Sequence, residues 1–167
     1  MYSVEAPTSK RYQFTGKSSL SAQTDLAIYE KDGERICNVE FKAKGVSPLA
    51  EKHFPIYKDL QKLMREPFWG LWFHLLEGVD NSTIRNLLTV LKTQMEKVRS
   101  EYIKDDIESP GITIHICVLR HVFSVERDIP IDGGALDQLF KLGLQVSRSK
   151  LVGESYTNGW TVNRPAS

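Results

Sequence analysis

Residues 24–44 read TDLAIYEKDGERICNVEFKAK, and the fold turns on this stretch. Two runs in which apolar and polar residues alternate, Thr24 to Glu30 and Arg35 to Ala43, flank the dipeptide Asp32-Gly33. A period of two is the pattern of a strand, and Asp-Gly between two such runs is a strong short-range signal for a two-residue hairpin turn. Such a turn sets the register, because positions equidistant from its centre face each other. Facing positions then sum to 65, which puts Glu30 opposite Arg35, Ile28 opposite Cys37, Leu26 opposite Val39 and Asp25 opposite Glu40. Leu26, Ile28, Cys37, Val39 and Phe41 share one face, expected to be the core face, while Asp25, Glu40 and Lys42 share the other.

Two carboxylates facing each other across a sheet stand about 4.5–5.5 Å apart at Cβ and destabilise the pairing. A divalent cation offsets that repulsion. Mg²⁺ prefers hard oxygen ligands, takes one or two protein carboxylates and leaves its other positions to water and phosphate oxygens. Lys42, two residues beyond Glu40 on the same face, adds an ammonium that can hold an attacking water. An isolated Glu-x-Lys is commonplace, and Glu40 with Lys42 would also serve as a solvated ion pair. What sets this triplet apart is the register-matched Asp25, the apolar strand around it, and the absence of any other Glu-x-Lys in the chain. Together the parts suit metal-assisted phosphodiester hydrolysis.

Outward from the hairpin, Arg11 to Thr15 alternates and completes a three-stranded meander. Ser47 and Pro48 supply an N-cap and a first-turn proline, Tyr57, Leu60, Leu63 and Met64 recur at helical spacing, and Glu66-Pro67 ends the pattern. Pro55 delays or kinks that helix. Phe68 to Leu76, FWGLWFHLL, reads as a strand buried on both faces and reached by a helical crossover, hence parallel. Beyond the cap candidates Asp80 and Ser82, the residues Ile84, Leu87, Leu88, Leu91, Met95, Val98 and Tyr102 trace one helical stripe. Ser109-Pro110-Gly111 breaks it, residues 112–125 read as one further strand, and Gly133-Gly134 opens a short helix through Leu139 and Phe140. The expected architecture is α/β with a mixed central sheet: βββαβ, then αβ and a small tail, in a single domain spanning 1–167.

At TDLAIY and VEFKAK the sequence resembles the PD-(D/E)XK, or restriction-endonuclease-like, nuclease superfamily. Asp25 stands in the place of the first motif acid, and Glu40 and Lys42 form the E-x-K pair. The resemblance covers residues 11–76 and implies an αβββαβ core, Mg²⁺ or Mn²⁺ held by Asp25, Glu40 and the Phe41 carbonyl, and Lys42 as the catalytic lysine. Thr24 replaces the motif proline, and only about ten residues, Pro7 among them, precede Arg11 where the family places a helix. Glu5 is a poor match for the acid that helix often carries. The Gln-x-x-x-Tyr signature of the RecB-like branch is absent, since Gln61 is followed four residues later by Arg65.

Lys44, on the Glu40 and Lys42 face, and Lys58 and Gln61, on the next helix, are the candidate contacts to a substrate phosphate. Trp69, Trp72 and Phe73 lie in a continuous apolar run and are expected in the core, not stacked on bases. His74, His115 and His121 lack the spacing of a zinc or triad site. No glycine-rich phosphate loop or nucleophile elbow occurs, which argues against a P-loop NTPase or an α/β-hydrolase. The expected function is a metal-dependent nuclease acting on DNA ahead of RNA. The competing expectation keeps the nuclease fold as a nucleic-acid or protein interaction module without cleavage.

The 167 residues carry 22 Lys and Arg against 21 Asp and Glu, a formal charge of +1, so bulk attraction of polyanions is excluded. The balance is uneven: residues 1–65 hold 11 basic and 8 acidic side chains, 66–110 hold 5 and 8, and 111–167 hold 6 and 5. Cys37 and Cys117 sit in alternating apolar runs as reduced thiols, which points to the cytoplasm. The N-terminus lacks a signal-peptide core, and the longest apolar run falls far short of the ~20 residues that span a bilayer. Surfaces for a homodimer are expected along the long helix from Ser82 or at an edge strand of the tail.

Overall fold

The computed structural model describes residues 1–12, 20–43, 54–78, 81–102, 107–120, 123–131, 136–140, 144–147, 150–153 and 159–163. The chain is α/β. Strands β1 (Tyr2–Tyr12), β2 (Leu20–Tyr29) and β3 (Arg35–Ala43) form the meander, and α1 (Phe54–Arg65) leads to β4 (Trp69–Leu76). Helix α2 (Asn81–Glu101) leads to β5 (Gly111–Val118) and β6 (Phe123–Pro130). Then come α3 (Leu136–Leu139), β7 (Leu144–Ser147), β8 (Lys150–Gly153) and β9 (Thr161–Asn163). Seven strands make one mixed sheet in the order β1-β2-β3-β4-β5-β6-β9, while β7 and β8 pair with each other. Among the described strands β3/β4 and β4/β5 are the parallel pairs, and α1 and α2 provide the crossovers that parallel pairing requires.

The hairpin departs from its simplest form and still reaches the expected register. The Glu30 N–H donates to the Glu34 carbonyl across Lys31-Asp32-Gly33, and Gly33 takes φ +90°, so the loop has three residues. Tyr29 therefore pairs with Arg35, which overturns the expected Glu30–Arg35 pair. An irregularity between Ile28 and Tyr29 then restores the sum of 65, with Ile28 opposite Cys37, Ala27 opposite Asn38 and Leu26 opposite Val39. Ile36 is the extra residue of that bulge.

The expected core face is corrected. Helices α1 and α2 pack over the side that carries Ala27, Asn38 and Glu40, all at most 1% exposed; of the expected set on the other side Val39 is buried, Leu26, Ile28 and Cys37 are half-buried, and Phe41 is 47% exposed. Strand β4 is likewise not buried on both faces: Gly70, Trp72, His74 and Leu76 are buried, and the residues between them are half-buried. The core joins Ile56, Leu60, Leu63 and Met64 of α1 and Leu87, Leu91 and Met95 of α2 to Trp72 and to Ile112, Ile114 and Ile116 of β5. Every apolar residue of α2 is buried there, so this helix keeps no second apolar face for a dimer. The tail does supply a sheet edge, β9.

Three boundaries differ from expectation. The first strand runs over Tyr2–Tyr12 instead of 11–15, because Ala6, Thr8 and Tyr12 form a buried side too small and polar to register as apolar alternation. Strand β2 begins at Leu20, four residues before Thr24. The expected single strand at 112–125 is a hairpin, β5 and β6, whose turn at Leu119 and Arg120 has no glycine or proline to announce it. Residues 44–53 lie outside the described residues, and with them Ser47 and Pro48; helix α1 is described from Phe54, with Pro55 in its first turn.

A buried carboxylate ties the first strand to α1. Glu66, 0% exposed, accepts hydrogen bonds from the N–H and hydroxyl of Ser9 (2.8 and 2.7 Å), the N–H of Lys10 (3.0 Å) and the hydroxyl of Tyr12 (2.9 Å). Ser9 and Lys10 lie within the irregularity between Pro7 and Arg11, and Tyr12 follows it. Four donors on one carboxylate satisfy its lone pairs without water.

Candidate functional site

Asp25 sits where the backbone ladder between β2 and β3 stops. The last paired residues are Leu26 and Val39, and side chains take over beyond them. Thr24 Oγ1 donates to the Val39 carbonyl at 3.1 Å, and the Phe41 N–H donates to Asp25 Oδ2 at 2.8 Å. The register and the period of two bring Asp25, Glu40 and Lys42 to one face, as their spacing predicts. That face lies under α1.

Helix α1 answers the charges of β3 with charges of its own. Asp59 and Lys62 stand one turn apart on its sheet-facing side, 6% and 4% exposed. Lys62 Nζ lies 2.6 Å from Glu40 Oε1 and 3.0 Å from Asp59 Oδ1, and it donates to the Gln23 carbonyl at 2.8 Å. Lys42 Nζ lies 2.5 Å from Asp59 Oδ2. Lys62 is thus the charged partner of Glu40 Oε1, whereas Glu40 Oε2, fully buried, meets no hydrogen-bond donor among the described residues.

These surroundings set the titration of the buried groups. Burial chiefly, then the negative charge of Asp59, pushes the Glu40 carboxyl up to about 8, against a pull downward from Lys62 and a smaller push from Asp25. For Lys62, burial is the largest influence and works downward, but Glu40 and Asp59 together outweigh it and hold the ammonium above its ordinary value. In formal charges, Asp25, Glu40 and Asp59 against Lys42 and Lys62 sum to one negative charge when Glu40 is ionised and to zero when it holds the proton that burial favours. The ionised cluster can accept a proton or a further cation. Among the described residues no group of three or more His, Cys, Asp or Glu side chains is arranged to hold a metal ion, so a cation here would rest on two carboxylates and backbone oxygen.

The remaining candidates separate. Gln61 is 1% exposed and its amide donates to the Tyr102 hydroxyl, so its expected phosphate contact is corrected: it is a core polar residue joining α1 to the end of α2. Lys58 is half-buried on α1 and already engaged in contacts, and Lys44 lies outside the described residues. The Phe41 side chain points to the opposite face, against Phe73 at 5.6 Å, so only its backbone belongs to the site. Trp72 is core as expected, while Trp69 is half-buried and donates to Thr113 Oγ1. His74, across from Lys42 in the register, is buried with Nδ1 accepting from Trp72 Nε1 at 3.4 Å. His115 stacks on Phe73 on the far face and meets Glu126 at 3.0 Å; His121 lies outside the described residues.

Sequence reasoning missed Asp59 and Lys62. The available signal was a second stripe along α1 and just past its end, Asp59, Lys62 and Glu66 at i+3 and i+4 spacing beside the apolar one. Charged stripes are ordinarily solvated, and nothing local marks this one as buried. No protein-family model, no curated protein and no solved structure matches this chain.

Proposed function

We propose that this chain hydrolyses nucleic-acid phosphodiesters, DNA ahead of RNA, with Mg²⁺ or Mn²⁺ as cofactor, on a restriction-endonuclease-like βββαβ core made by β1 to β3, α1 and β4. One observation carries the reading: Asp25 and Glu40 share a face with Lys42, and Glu40 Oε2 is buried with no donor among the described residues. A hard divalent cation fits that atom, and binding it releases the proton that burial favours on Glu40. Asp25, Glu40 and the carbonyl of Phe41 would hold the ion. The carbonyl qualifies because N–H and C=O of one strand residue turn toward the same neighbour, and the Phe41 N–H already points at Asp25.

When bound, the ion supplies Lewis-acid polarisation of the phosphate and a more acidic water. The chain's own residues do the rest. The Phe41 amide fixes the Asp25 carboxylate beside Glu40. Lys42 presents an ammonium, 27% exposed, that holds the attacking water or the negative charge developing on phosphate. The setting we propose is the cytoplasm, where the free Cys37 and Cys117 remain thiols. Among the described residues no helix is long and apolar enough to cross a membrane.

A second reading, an interaction module of the same fold without cleavage, is favoured by one observation: Lys42 and Glu40 each already have a partner of opposite charge on α1. The two readings part in one experiment. Wild type, Asp25→Ala and Lys42→Ala are incubated with plasmid, single-stranded DNA and RNA in Mg²⁺, Mn²⁺ or EDTA. The hydrolase reading expects metal-dependent cleavage that both substitutions lower by roughly 100-fold or more. Binding without cleavage in every condition supports the module.

A further inference from the structure

We infer that Asp59 is the positioning residue for Lys42, held in that role by Lys62; the inference rests on the hydrolase reading above. The two lysines of the cluster are used differently. An ammonium has three protons to donate. Those of Lys62 meet Glu40 on β3, Asp59 on α1 and the Gln23 carbonyl on β2, at 2.6, 3.0 and 2.8 Å, and the side chain is only 5% exposed. Lys62 is thus a fixed cation that pins three elements together just where the β2–β3 ladder ends. Lys42 has one ion pair among the described residues, to Asp59, and its greater exposure leaves two protons for a water or a phosphate oxygen.

A lysine on a flexible four-carbon stem does not hold one position by itself. Asp59 gives it one. Its carboxylate bridges the two ammoniums, one oxygen to each, and at 6% exposure the bridge is shielded from water and salt. Lys62 prevents Asp59 from turning, and Asp59 prevents Lys42 from swinging away from the carboxylate pair. The docking of α1, not β3 alone, therefore sets where the Lys42 ammonium stands. Asp59 also raises the Glu40 carboxyl, so the part of its effect that runs through Lys42 is read against a background that lacks this lysine.

The test is a double-mutant cycle under single-turnover conditions with Mg²⁺ and a DNA substrate. Asp59→Asn keeps the size of the side chain and removes its charge; it is expected to lower the cleavage rate about 10- to 100-fold with the half-saturating enzyme concentration changed less than about twofold. In a Lys42→Met background, whose residual rate is measured with excess enzyme, the same substitution is expected to cost less than about twofold. Losses that multiply instead, as independent structural damage would, overturn the inference while leaving the hydrolase reading intact. Should Asp59→Asn fail to fold, Asp59→Glu displaces the ammonium without freeing it, and the same cycle applies. A wild-type rate no greater than that of Asp25→Ala at every Mg²⁺ concentration overturns the hydrolase reading, and this inference with it.

Discussion

Glu40 and Glu66 are both fully buried carboxylates, and their surroundings give them opposite roles. Glu66 accepts four hydrogen bonds from Ser9, Lys10 and Tyr12, and it closes β1 onto the end of α1. Glu40 has one ion pair and an oxygen without a donor among the described residues. The fold therefore favours the protonated form of Glu40, whose carboxyl moves from 4.5 up to about 8. A group raised in this way contributes its stability in full below its unfolded value, and the contribution is lost as pH rises through the folded one. In metal-free protein, the melting temperature of wild type is expected to fall relative to Glu40→Gln between about pH 4.5 and 8, and added Mn²⁺ is expected to narrow the gap. Melting curves of the two proteins across that range check it, and a constant difference overturns it. Nothing in the sequence separates these two glutamates. Their donors and partners come from residues far along the chain, so only packing distinguishes an anchor from a site.

At the scale of elements, the sequence placed Asp25, Glu40 and Lys42 on a common face and misread which face the helices cover. Periodicity tells which side chains go together, not which group of them meets a helix. Here the side with Ala27, Asn38 and Glu40 is covered, because Asp59 and Lys62 neutralise its charges and Trp72 supplies its apolar bulk. The consequence is a stability contrast between aromatic residues of neighbouring strands. Trp72→Ala, at a side chain 0% exposed within the core, is expected to cost about 3–5 kcal/mol. Phe41→Ala, at a side chain 47% exposed, is expected to cost about 1 kcal/mol. Urea unfolding of both variants checks the contrast, which the reverse assignment of faces would invert. The hairpin shows the same division between pattern and packing. Asp32-Gly33 marked the turn correctly, but the loop takes three residues, and the bulge at Ile36 returns the expected register from Ile28–Cys37 to Leu26–Val39, next to Asp25 and Glu40.

For the whole molecule, the formal charge of +1 sets how it meets a polyanion. Attraction by net charge is negligible, so a nucleic acid has to be held at a local site and, in the proposed function, through its metal. Retention of a short DNA duplex at about 0.15 M salt is therefore expected to be weak in EDTA and stronger in Mg²⁺ for a cleavage-impaired Lys42→Met variant, and weak in both for Asp25→Ala. A gel-shift series measures this, and strong retention by Asp25→Ala in EDTA would place the binding surface elsewhere. The sequence by itself determined the α/β class, the order βββαβαβ, the hairpin partners of β2 and β3 near the site, and the grouping of Asp25, Glu40 and Lys42. All of these follow from local periodicity, turn chemistry and the need of parallel strands for a crossover. Only the tertiary structure decided which face α1 covers, that Asp59 and Lys62 join the site, that Gln61 leaves it, and that Glu66 anchors β1. The physical reason is common to these four: each depends on which charges lose their water when α1 docks on the sheet, and desolvation is a property of packed neighbours, not of sequence spacing.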